Sequence, residues 1–424
     1  MSVRRPKIPP LLRRHRYFRN FWIGQTVSFF GDQVSLLAIP LLAVLQLDAS
    51  ATQVALLSAA TMAPNLFFSV HFGAWADRLP NRRALMIGAD LGRAVLLVSL
   101  PAAAALDMLS LPQLFVVALL SGTLAVLADV CYYTVFVSLV DRDEYIEGSA
   151  LLNGSRAVSF VGGNGIAGIL VQLFTAPFAL LADAASFLVS ALFLHHAPAV
   201  EAPVEEADGR GLSEGIRFIL RTPLIRASLA ATATLNLFNA AFWALLVVFA
   251  VRTLGVGAGA LGLALAVGAL GSVLGSAITG RFSRRLGLGN ALIVSFVLAP
   301  APLLLVPAAA GPPALALSML GLAEFLSGIG IMVLDVGLGA MTAALVPDRL
   351  RARVSGAYNF VNWGIRPLGA VGGGLLAAAT DLRTTMWVAT IGALAGVLWL
   401  LPSPMPRLRS LPEPVEPTPP TPGA

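Results

Sequence analysis

The segment GAWADRLPNRR, residues 73–83, is a short charged stretch that joins two long apolar runs near the start of the chain. A weaker version, GRFSRRL, recurs at residues 280–286 and again separates two apolar runs. The residues that follow are related too, because ALMI at 84–87 is echoed by ALI at 291–293. We infer that the chain contains two copies of one hydrophobic unit.

A second set of matches has the same separation to within one residue. Asp129 corresponds to Asp335, and Asn153 corresponds to Asn359. Because two independent segments agree in their separation, we predict two homologous halves that place the two carboxylates at the same depth.

The composition excludes a water-soluble globular fold. Hydrophobic residues make up 57% of the chain and charged residues only 12%, and the mean hydropathy is +0.82. Soluble domains carry about 25% charged residues. Apolar runs of about 20 residues cross a bilayer as helices, since backbone polar groups in lipid must be satisfied within the segment.

Twelve such runs are separated by charges and turn residues, which predicts an all-α integral membrane protein with two pseudo-symmetric six-helix bundles. The predicted spans lie near 20–46, 52–76, 84–106, 112–138, 149–173, 176–196, 224–251, 258–280, 287–308, 313–345, 353–378 and 384–402.

These spans divide the chain into five regions. Residues 1–19 form a basic N-terminal segment, 20–196 and 224–402 form the two bundles, 197–223 form a linker, and 403–424 form a Pro-rich tail that we expect to be disordered. In the linker, Leu212, Ile216, Ile219 and Leu220 fall on one helical face. This pattern predicts an amphipathic helix on the membrane surface, with an ordinary linker as the alternative.

The distribution of the 28 Lys and Arg residues predicts the orientation. With a cytoplasmic N-terminus, only Arg252 and Arg383 fall in outer loops, and only Arg93, Arg156 and Arg366 fall within spans. We therefore expect a monomeric multi-pass protein of a bacterial inner membrane with both termini in the cytoplasm. The net charge of +6 then reflects topology and predicts no nucleic-acid partner. A single cysteine excludes a disulfide framework.

The loop after span two and the segment ADLGRA at 89–94 resemble the major facilitator superfamily, within it the drug-efflux-like branch of macrolide and enterobactin exporters. The segment DAASFL at 183–188 is similar to that branch as well. The chain departs from the family pattern at Pro80-Asn81, where a second loop glycine is usual, and at Gly163-Asn164, where antiporters often have Gly-Pro. The resemblance implies two six-helix bundles that alternate in opening a central cavity.

The resemblance also implies that the loop after span two latches the cytoplasmic gate. An arginine held in one of two states needs a buried acceptor. Asp129 and Arg156 flank the loop between spans four and five at nearly equal distances, which predicts that they are level and pair, with Arg82 or Arg83 as possible additional partners; a static ion pair is the alternative. The residues assigned to gating are Gly73, Asp77, Arg78, Arg82, Arg83, Asp129, Arg156 and Asp335.

Asp32 lies near the middle of span one with no basic residue in that span. An intramembrane carboxylate of this kind is a candidate for binding and releasing a proton; direct contact with substrate and a structural role are the alternatives. Glu324 in span ten and Arg366 in span eleven are further coupling candidates, since Arg366 could pair with Glu324 or Asp32. Asp183 and the Asp90–Arg93 pair are interpreted as polar contacts between helices.

Polar stripes on spans one, seven, ten and eleven are expected to face a central cavity, because polar groups are disfavoured in lipid. The substrate-binding candidates are Gln25, Asn236, Asn239, Trp243, Asn359 and Asn362. The aromatic and amide lining suits a flat, partly apolar molecule, and the carboxylates would tolerate a cation.

These features predict a secondary active exporter of an amphiphilic small molecule (drug, macrolide-like or siderophore-like). We expect it to work by alternating access as a proton antiporter, with the proton gradient as its energy source and no cofactor. No phosphate-binding loop motif is present, so ATP hydrolysis by this chain is not expected. An importer or a lipid flippase is the alternative on the same fold. A non-transporting sensor or a membrane enzyme is the alternative from another class.

Overall fold

The structure is a computed structural model that describes residues 9–77, 81–196 and 211–410. Nearly all of these residues are helical. Within those ranges, nine helices are long and apolar enough to cross a membrane. One of them, Arg142–His195, has 54 residues and is long enough to cross twice. The all-α membrane architecture is confirmed.

The first half of the chain begins with the short helix α1 (Pro10–Arg14). It continues with α2 (Arg16–Leu45), α3 (Ala51–Asp77), α4 (Arg82–Ala105), α5 (Leu111–Ser138), a 3-10 turn (Arg142–Glu144) and α6 (Tyr145–His195). α6 is two helices joined at Thr175, whose φ of 66° lies outside the helical region. Pro177, two residues further on, lacks the N–H that would continue the hydrogen-bond ladder. The two parts of α6 occupy predicted spans five and six.

The second half begins with α7 (Gly211–Arg221), which lies within the predicted linker. It is followed by α8 (Pro223–Val248) with a π-helical end (Phe249–Thr253), α9 (Ala258–Leu286), α10 (Leu288–Leu298), α11 (Leu305–Ala308), α12 (Pro313–Leu345), α13 (Asp348–Ala379) and α14 (Leu382–Leu394). Predicted span nine is interrupted because Pro300 and Pro302 cannot donate backbone hydrogen bonds, and a 3-10 turn (Ala301–Leu304) joins α10 to α11.

The chain forms two compact units. The first comprises the described residues of Met1–Ala207 together with Ala244–Ala266, and the second comprises those of Asp208–Trp243 and Val267–Ala424. In the first unit, a core cluster gathers Phe18, Phe21, Phe136 and their neighbours from α2 and α5. In the second, a corresponding cluster gathers Ile219, Phe296 and Met341 from α7, α10 and α12.

Both ends of the described chain are more structured than their composition predicts. Leu11 and Leu12 of α1 are buried in the first core, so the basic N-terminal segment is anchored. The expected disorder from residue 403 onward is wrong for 403–410. Met405 is fully buried in the second core, and the backbone N–H of Gly289 donates to the carbonyl oxygen of Leu408 over 2.7 Å. The Met405 side chain and this backbone hydrogen bond hold the Pro-rich segment in place. Residues 411–424 lie outside the described part.

Candidate functional site

An ion pair joins α2 and α4 in the interior of the first unit. Nη2 of Arg93 donates to Oδ1 of Asp32 over 2.6 Å. The guanidinium of Arg93 also lies 3.9 Å from the centre of the Phe187 ring on α6. The basic partner that span one lacks is therefore supplied by another helix.

Two further carboxyl groups lie close enough to Arg93 to interact electrostatically with it. Asp183 on α6 is fully buried and accepts hydrogen bonds from the hydroxyl groups of Ser35 and Ser186. Asp90 on α4 is also buried, and its Oδ2 has no hydrogen-bond partner among the described residues. Three carboxyl groups thus share one guanidinium.

The interpretation of Asp183 and of the Asp90–Arg93 pair as contacts between helices was therefore incomplete. The helices do meet there, but the same side chains complete the surroundings of Asp32. The spacing of Asp90 and Arg93, one helical turn apart, carried part of this signal. The contribution of Asp183 depends on how α6 packs against α2, which no local pattern reports.

A cavity of about 410 Å³ adjoins this cluster in the first unit. It is lined by Phe29, Asp32, Gln33, Asp129, Arg156 and Phe160. Asp129 and Arg156 both line it and interact electrostatically with each other. The sequence predicted that these two residues pair. The Arg156 guanidinium lies 4.7 Å from the centre of the Phe29 ring and 4.9 Å from that of Tyr132. Phe29, Gln33 and Phe160 were not among the predicted site residues.

A second cavity of about 300 Å³ also borders Asp32 and has a largely apolar lining that includes Leu36, Ile39 and Met62. Asp32 and Gln33 line both cavities. Gln25, a predicted substrate ligand, is buried and donates to the Ser190 hydroxyl over 3.2 Å. It lines a smaller cavity that also includes Asp32 and Asp90. Asp32 therefore borders all three cavities, one of which is largely apolar.

In the second unit, Arg366 belongs to an amide network between α13 and α8. Its Nε donates to Oδ1 of Asn236 over 3.0 Å, and Nδ2 of Asn236 donates to Oδ1 of Asn362 over 2.9 Å. The guanidinium also lies 4.0 Å from the centre of the Trp363 ring. Arg366 is within electrostatic range of Asp335. The predicted pairing of Arg366 with Glu324 or Asp32 is thus replaced by a hydrogen bond to Asn236, because α8 presents that amide directly to α13.

Glu324 on α12 is buried, and its Oε1 has no hydrogen-bond partner within the ranges that the structure describes. Its Cβ lies close to Gly268 of α9, where an added Cβ would approach it to 2.8 Å. The other predicted ligands of this unit differ in exposure. Asn359 is exposed, whereas Asn239 and Trp243 are half-buried.

The predicted cytoplasmic latch lies only partly within the described residues. Arg78 and the side chains of Gly73 and Asp77 are outside them. Arg82 is the first residue of α4, and Nη1 of Arg83 donates to the carbonyl oxygen of His195 over 3.3 Å. The contact fixes the start of α4 to the end of α6.

At the predicted outer side, the first unit contains a close contact between α6 and α9. A Cβ added to Gly262 would lie 2.6 Å from the carbonyl oxygen of Asn164 and 2.8 Å from Cα of Gly168. The two backbones therefore touch at these residues, a packing that small residues permit between membrane helices. We call Asn164, Gly168 and Gly262 the outer seam. Nearby in the chain, Nη2 of Arg252 donates to Oδ1 of Asp48 over 2.5 Å.

The chain matches a known protein family and a bacterial relative. Residues 8–421 match the family described as transmembrane secretion effector, MFS_3. The chain is 27% identical over 391 residues to the uncharacterized MFS-type transporter YfiS of Bacillus subtilis (strain 168), covering 87% of this chain and 88% of that protein.

Solved transporter structures share the fold at low identity. A bacterial homologue of the iron transporter ferroportin in an inward-facing state has a TM-score of 0.73 and 18% identity, with 91% of this chain and 98% of that chain covered. The nucleoside transporter NupG has a TM-score of 0.70 and 15% identity, with 91% and 98% covered. A bacterial homologue of the human lysosomal transporter Spinster has a TM-score of 0.71 and 15% identity, with 95% and 98% covered.

The family match spans nearly the whole chain, and the relatives and fold neighbours are transporters and not enzymes. The chain therefore belongs to the transmembrane secretion effector family of the major facilitator superfamily and is a multi-pass membrane transporter of that type.

Proposed function

We propose that the chain is a secondary active exporter in which proton entry drives an amphiphilic small molecule out of the cytoplasm by alternating access. The observation that carries this proposal is the excess of carboxyl groups over guanidinium groups inside the first unit. Asp32, Asp90 and Asp183 surround Arg93, and Asp129 faces Arg156.

An excess of negative charge is costly in the interior of a membrane protein. It is relieved when a carboxyl group binds a proton, or when a cation binds beside it. The two events compete for the same carboxylates, which is the requirement for exchanging a cationic substrate for protons. Among the three carboxyl groups around Arg93, Asp32 is the most accessible, because 36% of its side chain is exposed whereas Asp90 and Asp183 are buried. It also lines the cavities.

The cavity linings support an amphiphilic substrate. Phe29 and Phe160 offer aromatic faces beside Asp32 and Asp129, an arrangement that attracts an organic cation. The largely apolar second cavity, which also borders Asp32, would hold a hydrocarbon or aromatic portion. Gln25 is the proposed substrate ligand of the first unit. The proposed ligands of the second unit are the amides Asn236, Asn239, Asn359 and Asn362, together with Trp243. Glu324 and Arg366 are the further proposed coupling groups of that unit.

The proposed gates lie at opposite ends of the helices. On the cytoplasmic side we retain the loop after α3, with Asp129 and Arg156 as its partners in the first unit. Asp335, which corresponds to Asp129 in the repeat, is retained as a gating residue of the second unit. On the outer side we add the outer seam. The description of the family as a secretion effector favours export over import.

Everted membrane vesicles provide the test. With an acidified lumen, a fluorescent planar cation is expected to accumulate in vesicles that contain the chain, and a protonophore should release it. Asp32→Asn should slow accumulation by about tenfold, with residual coupling through Asp90 and Asp183. Asp107→Asn, a change in the exposed loop between α4 and α5, is the matched control.

Accumulation that persists in the protonophore would rule out proton coupling. Uptake observed only in right-side-out vesicles would instead show an importer, and movement of a fluorescent lipid between leaflets without dye transport would show a flippase.

The Asp48–Arg252 ion pair is expected to contribute little. The Asp48 side chain is 98% exposed, and an exposed pair typically contributes less than about 1 kcal/mol. Arg252→Ala should therefore change the initial transport rate by less than about fivefold. A loss of transport in this variant would show that the ion pair, and not the outer seam, holds the outer side closed.

A further inference from the structure

The exposed surface of α7 has an apolar stripe, which suits lipid, and a cationic stripe, which suits water or lipid headgroups. Its buried side, Gly215 and Ile219, packs against the first turns of α13, where a Cβ on Gly215 would lie 2.7 Å from the carbonyl carbon of Arg353. Glu214 forms an ion pair with Arg353. α7 is thus attached at the end of α13 that the charge distribution assigns to the cytoplasm.

An apolar stripe remains uncovered. Ile216 is 41% exposed and Leu220 is 56% exposed. Residues four apart share a helical face, so the two side chains form a continuous stripe directly beside the buried side. In water such a stripe would be unfavourable, whereas the boundary of a lipid layer accommodates it.

A cationic stripe lies next to it, further from the buried side. Arg217 and Arg221 are one position after Ile216 and Leu220, and both are exposed. Arg226 of α8 is exposed as well, and its Nη1 donates to the carbonyl oxygen of Leu220 over 3.2 Å. Guanidinium groups are thereby gathered at the C-terminal end of α7.

We propose that this surface of α7 binds anionic phospholipids of the cytoplasmic leaflet. Ile216 and Leu220 enter the acyl boundary, and Arg217, Arg221 and Arg226 bind the headgroup phosphates. The order of the stripes, buried, apolar and cationic, matches a helix lying in the plane of the membrane surface. The assignment concerns a lipid partner and does not depend on the proposed export function.

The test places a fluorophore on Leu220→Cys in a Cys131→Ser background of the full chain, reconstituted in vesicles. Phosphatidylcholine with brominated acyl chains is expected to quench the probe, and titration with phosphatidylglycerol should increase the quenching at low ionic strength. Arg217→Gln/Arg221→Gln should raise the phosphatidylglycerol midpoint roughly fivefold for each arginine removed. Arg284→Gln/Arg285→Gln, an exposed arginine pair at the end of α9, should leave the midpoint unchanged.

Quenching by aqueous iodide but not by brominated lipid would overturn the proposal. A midpoint that is the same in the Arg217/Arg221 variant would overturn the anionic-lipid assignment. Thermal unfolding of each variant in detergent checks that α7 stays folded, since the substituted side chains are exposed and no shift is expected.

Discussion

Arg93→Gln is expected to abolish proton-driven transport and to destabilise the first unit. The substitution removes the cation that Asp32, Asp90 and Asp183 share, and it removes the guanidinium from the Phe187 ring. Breaking a buried ion pair by deleting one partner typically costs about 3–5 kcal/mol. We expect a value near the lower limit, about 3 kcal/mol, because Asp32 keeps access to the cavities.

Transport should fall by more than about a hundredfold, since no cation would remain beside the three carboxyl groups to stabilise the charge that the transport cycle exposes and neutralises. Initial rates in everted vesicles and thermal unfolding in detergent measure the two effects. The double variant Arg93→Gln/Asp32→Asn separates them, because it removes one unpaired carboxylate. It should regain part of the stability while remaining inactive.

Arg284→Gln, an exposed arginine at the end of α9, is the control for loss of positive charge in general. Wild-type transport by Arg93→Gln would show that the buried carboxylates do not need Arg93 for coupling. Recovery of transport in the double variant would limit Arg93 to a structural role.

The hydrophobic pattern predicted where helices lie because crossing a membrane imposes both a length and an apolar composition. The spacing of Asp129 and Arg156 on either side of one loop predicted that the two are level, since a helical hairpin brings residues at equal distances from its loop to the same height. Both side chains line one cavity.

The Asp32–Arg93 pair could not be predicted in the same way. Its members lie on helices that are not consecutive in the chain, and pairing them requires the rotation of each helix about its axis. That rotation is set by packing, here by Ser35 and Ser186 turning toward Asp183. The prediction of disorder at the C-terminus was wrong because it also depended on packing that composition does not show. The prolines of 403–410 predict disorder, but a single buried side chain, Met405, anchors the segment.

Gly262→Ala is expected to prevent closure at the outer seam. The new methyl group would meet the carbonyl oxygen of Asn164 at 2.6 Å and Cα of Gly168 at 2.8 Å. These are backbone atoms, which cannot rotate away as a side chain can. Overpacking of this kind costs about 1–3 kcal/mol, and that cost is imposed only on the state in which α6 and α9 touch.

The equilibrium between states should therefore shift by about 5- to 150-fold away from the arrangement with a closed outer seam. A transporter held away from one of its two states cycles slowly, so transport should fall by a similar factor. Substrate binding should change much less than transport, because Gly262 itself does not line the described cavities. Initial rates in everted vesicles and equilibrium binding of the same dye give the two quantities.

Gly257→Ala is the matched control, since a Cβ at that position would have nothing within 4 Å. Gly165→Ala is a second control on α6 itself, where the nearest atom would be the Ala266 Cβ at an ordinary 3.7 Å. A cysteine placed beside Gly168 in a Cys131→Ser background should react faster with a membrane-impermeant thiol reagent from the outer side in Gly262→Ala than in either control. Equal reactivity and equal transport in all three variants would show that the outer seam does not open during the cycle, and the contact between α6 and α9 would then be permanent packing.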